Sequence, residues 1–146
     1  MKSVSSPRAS FRKLDPSWLP ATPQVDADGL PDLFSIAPVV VLHFWAAWNG
    51  YDRDLDRHLQ VLAPLLEGRL VVRAVNIDRE CNWPLARACR LVNIPALVCF
   101  VSREHHEALV GLREFRETQA KLLEWAEVGR ASAQPAAASA GPASSC

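Results

Sequence analysis

The run Val39-Val40-Val41-Leu42-His43-Phe44-Trp45 constrains this chain more than any other stretch. It contains a single polar side chain and no polar/apolar alternation, and most of its residues are β-branched or aromatic. Such a run is predicted to be a strand covered on both faces. A strand covered on both faces needs a layer on each side, and 146 residues supply one domain able to provide them.

The patterns downstream supply those layers. After Trp48-Asn49-Gly50-Tyr51-Asp52, the leucines at 55, 59, 62 and 66 recur at helical spacing, with Asp54, Asp56 and Arg57 expected on the solvent side. Pro64 is expected to tighten the last turn of this helix and Gly68 to end it. Residues 70–77 read as a second buried strand. A short helix is expected from about Pro84, burying Leu85, Ala88, Cys89 and Val92. Residues 96–101 and 107–110 read as a third and a fourth strand, and Phe115, Leu122 and Ala126 stripe a last helix. The order predicts an α/β domain with a mixed central β-sheet flanked by helices.

Composition divides the chain into three parts. Residues 1–32 form a polar, proline-rich arm (Pro7, Pro16, Pro20, Pro23, Pro31), expected to be irregular and anchored through Phe11, Trp18, Leu19 and Leu30. Residues 33–128 form the folded domain. Residues 129–146 are an Ala/Ser/Pro tail with little to bury, expected to be disordered. Residues 1–13 are Ser/Arg-rich and lack acids, as transit peptides do, but no secretory apolar segment follows, and they read as a polar terminus.

Charge and cysteine content narrow the functional classes. Sixteen Lys and Arg balance sixteen Asp and Glu, so no long-range field gathers nucleic acid or an anionic membrane. The longest apolar stretch, residues 36–48, is broken by Pro38 and His43 and is too short to span a bilayer as a helix. Cys81, Cys89, Cys99 and Cys146 form no C-x-x-C pair, which suits free thiols in a reducing, cytoplasmic compartment. His105 and His106, beside Glu104 and Glu107, are expected in a solvated hairpin turn rather than at a metal. No metal and no cofactor is expected.

Four short motifs fall in order: F-W-A-A-W-x-G at residues 44–50, V-N-I-D at 75–78, N-I-P-A at 93–96, and Gly111 after the hairpin. Together with the element order, over residues 38–127, the chain resembles a thioredoxin domain. The resemblance implies a thioredoxin fold, a cis peptide bond between Ile94 and Pro95, and an apolar groove formed by Trp48, Tyr51, Ile94 and Pro95 beside which an extended polypeptide can pair.

The chain departs from the family where the family does its chemistry. Thioredoxins carry W-C-G-P-C where this chain has Trp48-Asn49-Gly50-Tyr51-Asp52, so Asn49 and Asp52 stand at the two cysteine positions. Neither can form a disulfide. Asn49 is a strong helix N-cap, and Asn-x-x-Asp resembles a capping box in which Asp52 reaches back to the Asn49 backbone N–H. The resemblance also sets His43 where the family has a buried acid, facing Asp52. A buried imidazole needs a partner, and a structural His43–Asp52 pair is favoured over an acid–base catalyst because no nucleophile or metal accompanies it.

The leading expectation is a redox-inactive, thioredoxin-like module that binds a protein or an extended peptide segment through the groove. Two alternatives remain at this stage. One is a thiol–disulfide oxidoreductase using a displaced cysteine such as Cys81, which lies near Arg79. The other is a structural subunit of a larger assembly.

Overall fold

The computed structural model describes the backbone of residues 17–143 and the side chains of residues 17–132. Four strands form one sheet: β1 (Val39–Trp45), β2 (Leu70–Asn76), β3 (Ala96–Val101) and β4 (Glu104–Val110), in the order β2-β1-β3-β4. β1 runs parallel to β2 and antiparallel to β3, and β3 pairs antiparallel with β4, so the sheet is mixed. Every residue of β1 is buried, as an unbroken apolar strand at the centre of a sheet must be.

Helices cover both faces. On one face Val39 and Val41 meet Leu55, Leu59 and Leu62 of α2 (Gly50–Leu65) and Leu122, Trp125 and Ala126 of α4 (Phe115–Ala143). On the other, Val40, Leu42 and Phe44 pack with Val98, Phe100 and Cys89, and with Leu30 and Leu33 of the short helix α1 (Leu30–Leu33). Each large side chain buried in these layers contributes about 1.5–3 kcal/mol, which makes the two cores the main support of the fold. Side chains alternate along β1, so His43 shares the α2 face with Val39 and Val41.

The described part of the arm, residues 17–32, is more ordered than its composition suggests. Gln24 forms a parallel bridge with Ala74, with Val25 N–H donating to Ala74 O (2.9 Å) and Ala74 N–H to Pro23 O (2.8 Å). Trp18 meets the Trp45 ring edge-on at 5.4 Å, and the Arg53 guanidinium lies over Trp18. Leu19, expected as an anchor, is exposed; Pro20 and Thr22 are buried in its stead. Phe11 lies outside the described residues.

Asp56, expected on the surface, is also buried. Its carboxylate accepts from Ala21 N–H (2.9 Å), Thr22 N–H (3.1 Å), Thr22 Oγ1 (2.7 Å) and Gln60 Nε2 (3.0 Å), which welds the arm to α2.

Three further boundaries differ from expectation. The helix expected from Pro84 is α3 (Trp83–Ala88), barely one and a half turns, so its stripe runs out early. Arg90 follows at φ 56°, Ala88 and Val92 face solvent, and Leu91 is half-buried instead. β4 begins at Glu104 because the hairpin turn falls on Ser102 and Arg103, both at positive φ, without the Gly or Asn that usually marks such a turn. His105 and His106 therefore lie on a strand, with the His105 ring edge-on to Phe100 at 6.0 Å. Finally, Gly129, where the sequence reading ends the domain, lies inside α4 and is buried. A methyl group there would overlap the Val39 side chain, so the glycine lets α4 close onto the start of β1.

Candidate functional site

The C-terminal ends of the parallel strands β1 and β2 and the N-terminal end of β3 lie at the same rim of the sheet, which gathers residues 46–52, 77–83 and 93–95. Asn49 caps α2 there from an extended backbone conformation, accepting the Tyr51 N–H on its side-chain oxygen at 3.0 Å. Its amide Nδ2 donates to the Ile94 carbonyl at 3.1 Å, tying the helix start to the Ile94–Pro95 segment. The Ile94–Pro95 peptide bond is cis.

Asp52 is fully buried and does not reach back to Asn49. The Asn49 N–H donates instead to Ala46 O (3.1 Å), and the Asp52 carboxylate turns inward. It meets His43 Nε2 at 2.8 Å and accepts from Ala46 N–H at 3.1 Å. Removal from water raises the Asp52 pKa above its ordinary value, against the opposing pull of His43 and the Ala46 N–H. Two other polar atoms of β1, His43 Nδ1 and the Trp45 indole N–H, are buried with no hydrogen-bond partner among the described residues. Each Asp52 carboxylate oxygen thus has one hydrogen-bond partner, and both residues of the pair are fully buried.

The expected groove is divided. Trp48 and Tyr51 are 59 % and 50 % exposed, whereas Ile94 and Pro95 are buried. The backbone of Ile94 is already engaged: its N–H donates to Asn93 Oδ1 at 2.9 Å and its carbonyl accepts from Asn49. A carbonyl has a second lone pair, but the N–H can serve an incoming strand only after Asn93 lets go. Pro95 O accepts from Gly111 N–H at 2.8 Å.

A residue overlooked in the sequence joins the surface. Trp83, 45 % exposed, donates its indole N–H to Ile77 O at 2.9 Å, and Trp48 donates its own to Asp78 Oδ1 at 3.3 Å. The signal was available in the sequence, since a tryptophan beside V-N-I-D and before Pro84 falls on a short polar connection.

Cys81 is exposed in the turn Glu80–Asn82. Cys89 and Cys99 are buried, and burial pushes their thiols up to about 11 and about 12. Among the described residues no group of three His, Cys, Asp or Glu side chains could hold a metal ion, and no helix is long and apolar enough to cross a membrane.

No family model matches the chain. Known proteins do resemble it. A thioredoxin of Rickettsia conorii is 29 % identical over 86 residues, covering 59 % of this chain and 76 % of that protein. Thioredoxin 1 of Chlorobaculum tepidum is 29 % identical over 98 residues, covering 66 % and 95 %. Among solved structures, a mutant thioredoxin from Halobacterium salinarum superposes with a TM-score of 0.64 at 27 % identity, covering 75 % of this chain and 96 % of that one. The mixed sheet with its flanking helices is a thioredoxin fold, and the resemblance to these thioredoxins supports a thioredoxin-like superfamily for the chain.

Proposed function

We propose that this chain is a redox-inactive binding module that holds an extended polypeptide segment against Trp48 and Tyr51 beside Pro95. The observation that carries this reading is the inward commitment of Asn49 and Asp52, the residues at the family's cysteine positions. Asn49 caps a helix and ties down Ile94, and Asp52 is sealed against His43. Two large aromatic side chains stay exposed directly beside them. Exposed aromatics of this kind often anchor partners. The free thiols support a reducing, cytoplasmic setting.

Insulin reduction by the natural chain tests the reading: no turnover is expected. Asn49→Cys with Asp52→Cys should form a reversible disulfide and gain weak reductase activity, because the helix start supplies N–H groups and a positive dipole end that favour a thiolate. An inert double variant would mean that the helix end is closed to substrates, and the binding surface would fall with it. A second reading has one observation in its favour: Cys81 is exposed on the loop whose Asp78 holds Trp48. Turnover by the natural chain that disappears in Cys81→Ser would make this protein a displaced-cysteine oxidoreductase.

A further inference from the structure

We infer that Trp48, Trp83 and Asp78 form a subsite for a positively charged side chain, lysine or arginine, of the bound segment; the inference rests on the binding reading above. Both indoles are tied by their N–H edges to consecutive residues, Trp83 to Ile77 O and Trp48 to Asp78 Oδ1, so one loop holds both rings. With the polar edges occupied, the exposed ring surfaces are what remains for a ligand. Those surfaces attract cations.

The charges of the loop point the same way. Asp78 and Glu80 are exposed and have no ion-pair partner among the described residues, while Arg79, the base between them, is drawn to Asp26 at 3.2 Å. Arg53, the cation in the first turn of α2, lies over Trp18 at 5.4 Å instead of over Trp48. The surface thus combines two indoles with unopposed negative charge. A basic side chain satisfies both, covering the rings with its apolar stem and bringing its charge to Asp78. An acidic side chain is repelled, and a purely apolar one leaves the carboxylate without gain.

The test uses three end-blocked decapeptides of identical Ala/Ser/Val sequence whose central residue is arginine, citrulline or glutamate, titrated calorimetrically into the full chain. Citrulline keeps the shape of arginine without its charge. The arginine peptide should bind about tenfold more tightly than the citrulline peptide, the glutamate peptide weakest, and the advantage should shrink as salt is raised. Trp83→Ala and Asp78→Asn should each abolish most of the advantage, while Trp83→Phe keeps much of it because the ring remains. Should Trp83→Ala melt early, Asp78→Asn and Trp83→Phe decide. Equal affinity for the arginine and citrulline peptides, or an advantage untouched by Asp78→Asn, overturns the subsite but leaves the groove. Binding of none of the three overturns the groove reading itself, and the subsite with it.

Discussion

Helix α2 buries two aspartates one turn apart, and the chain treats them differently. Asp56 faces the arm and is surrounded by neutral donors: two backbone N–H groups, a hydroxyl and an amide. Asp52 faces β1 and has one backbone N–H and one imidazole, whose far nitrogen is unpartnered among the described residues. The first carboxylate is a structural rivet with its lone pairs well satisfied. The second has only two partners, the Ala46 N–H and a titratable imidazole. Burial on the same helix therefore does not fix what a carboxylate does; the number and kind of donors around it decide.

Removing the better-satisfied acid should cost most. Asp56→Ala strands the Ala21 and Thr22 donors, and a loss of about 3 kcal/mol or more is expected in urea unfolding, with increased proteolysis of residues 17–23. A loss below that of Asp52→Ala would reverse the ranking of the two sites.

Next comes the pair. His43→Leu and Asp52→Ala each leave the other partner buried alone, and a double-mutant cycle should give a coupling of about 1–3 kcal/mol. Strict additivity would mean that the 2.8 Å contact contributes nothing. Asn49→Ala removes the cap and the Ile94 tie and should cost about 1 kcal/mol, the usual value of an N-cap. Freeing the Ile94 N–H in Asn93→Ala should leave stability nearly unchanged yet tighten peptide binding, since the incoming strand no longer displaces an amide. Unaltered affinity would show that the partner does not use this backbone.

The smallest effect concerns pH. Burial holds the Asp52 pKa above 3.8 in the folded chain, so folding takes up a proton at this site. The contribution of Asp52 is most favourable below the unfolded value and erodes as pH rises through the folded one. Asp52→Asn should therefore flatten that part of the stability profile, and parallel curves for the two chains would contradict the assignment.

The contrast also marks what the sequence could reveal. β1 was legible because its short run is rich in β-branched and aromatic residues, which favours a buried strand over a helix, and the His43–Asp52 contact was legible because both depart from a recognisable pattern at matched positions. Asp56 was not, because an acid between Leu55 and Arg57 looks like surface charge. Yet Asp52, Leu55, Asp56, Leu59 and Leu62 follow helical spacing, and that stripe points Asp56 inward once position is given more weight than polarity. The Ser102–Arg103 turn left no signal, since neither residue favours positive φ. The reach of α4 past Gly129 was hidden by a composition that lacks large apolar residues, although alanine is the best helix former.

The bridge between the arm and Ala74 has a consequence for encounters between molecules. A sheet ends in rows of unpaired backbone groups, each a template on which another chain can polymerise. At one margin the arm covers part of β2, and the prolines at 20 and 23 offer no N–H to extend the ladder. At the other margin β4 begins with Glu104, His105 and His106, all exposed and polar, which discourages stacking by charge. The part of the proline-rich segment around Gln24 thus shields this margin of the sheet, and trimming residues 17–25 is expected to show itself as turbidity in concentrated solution.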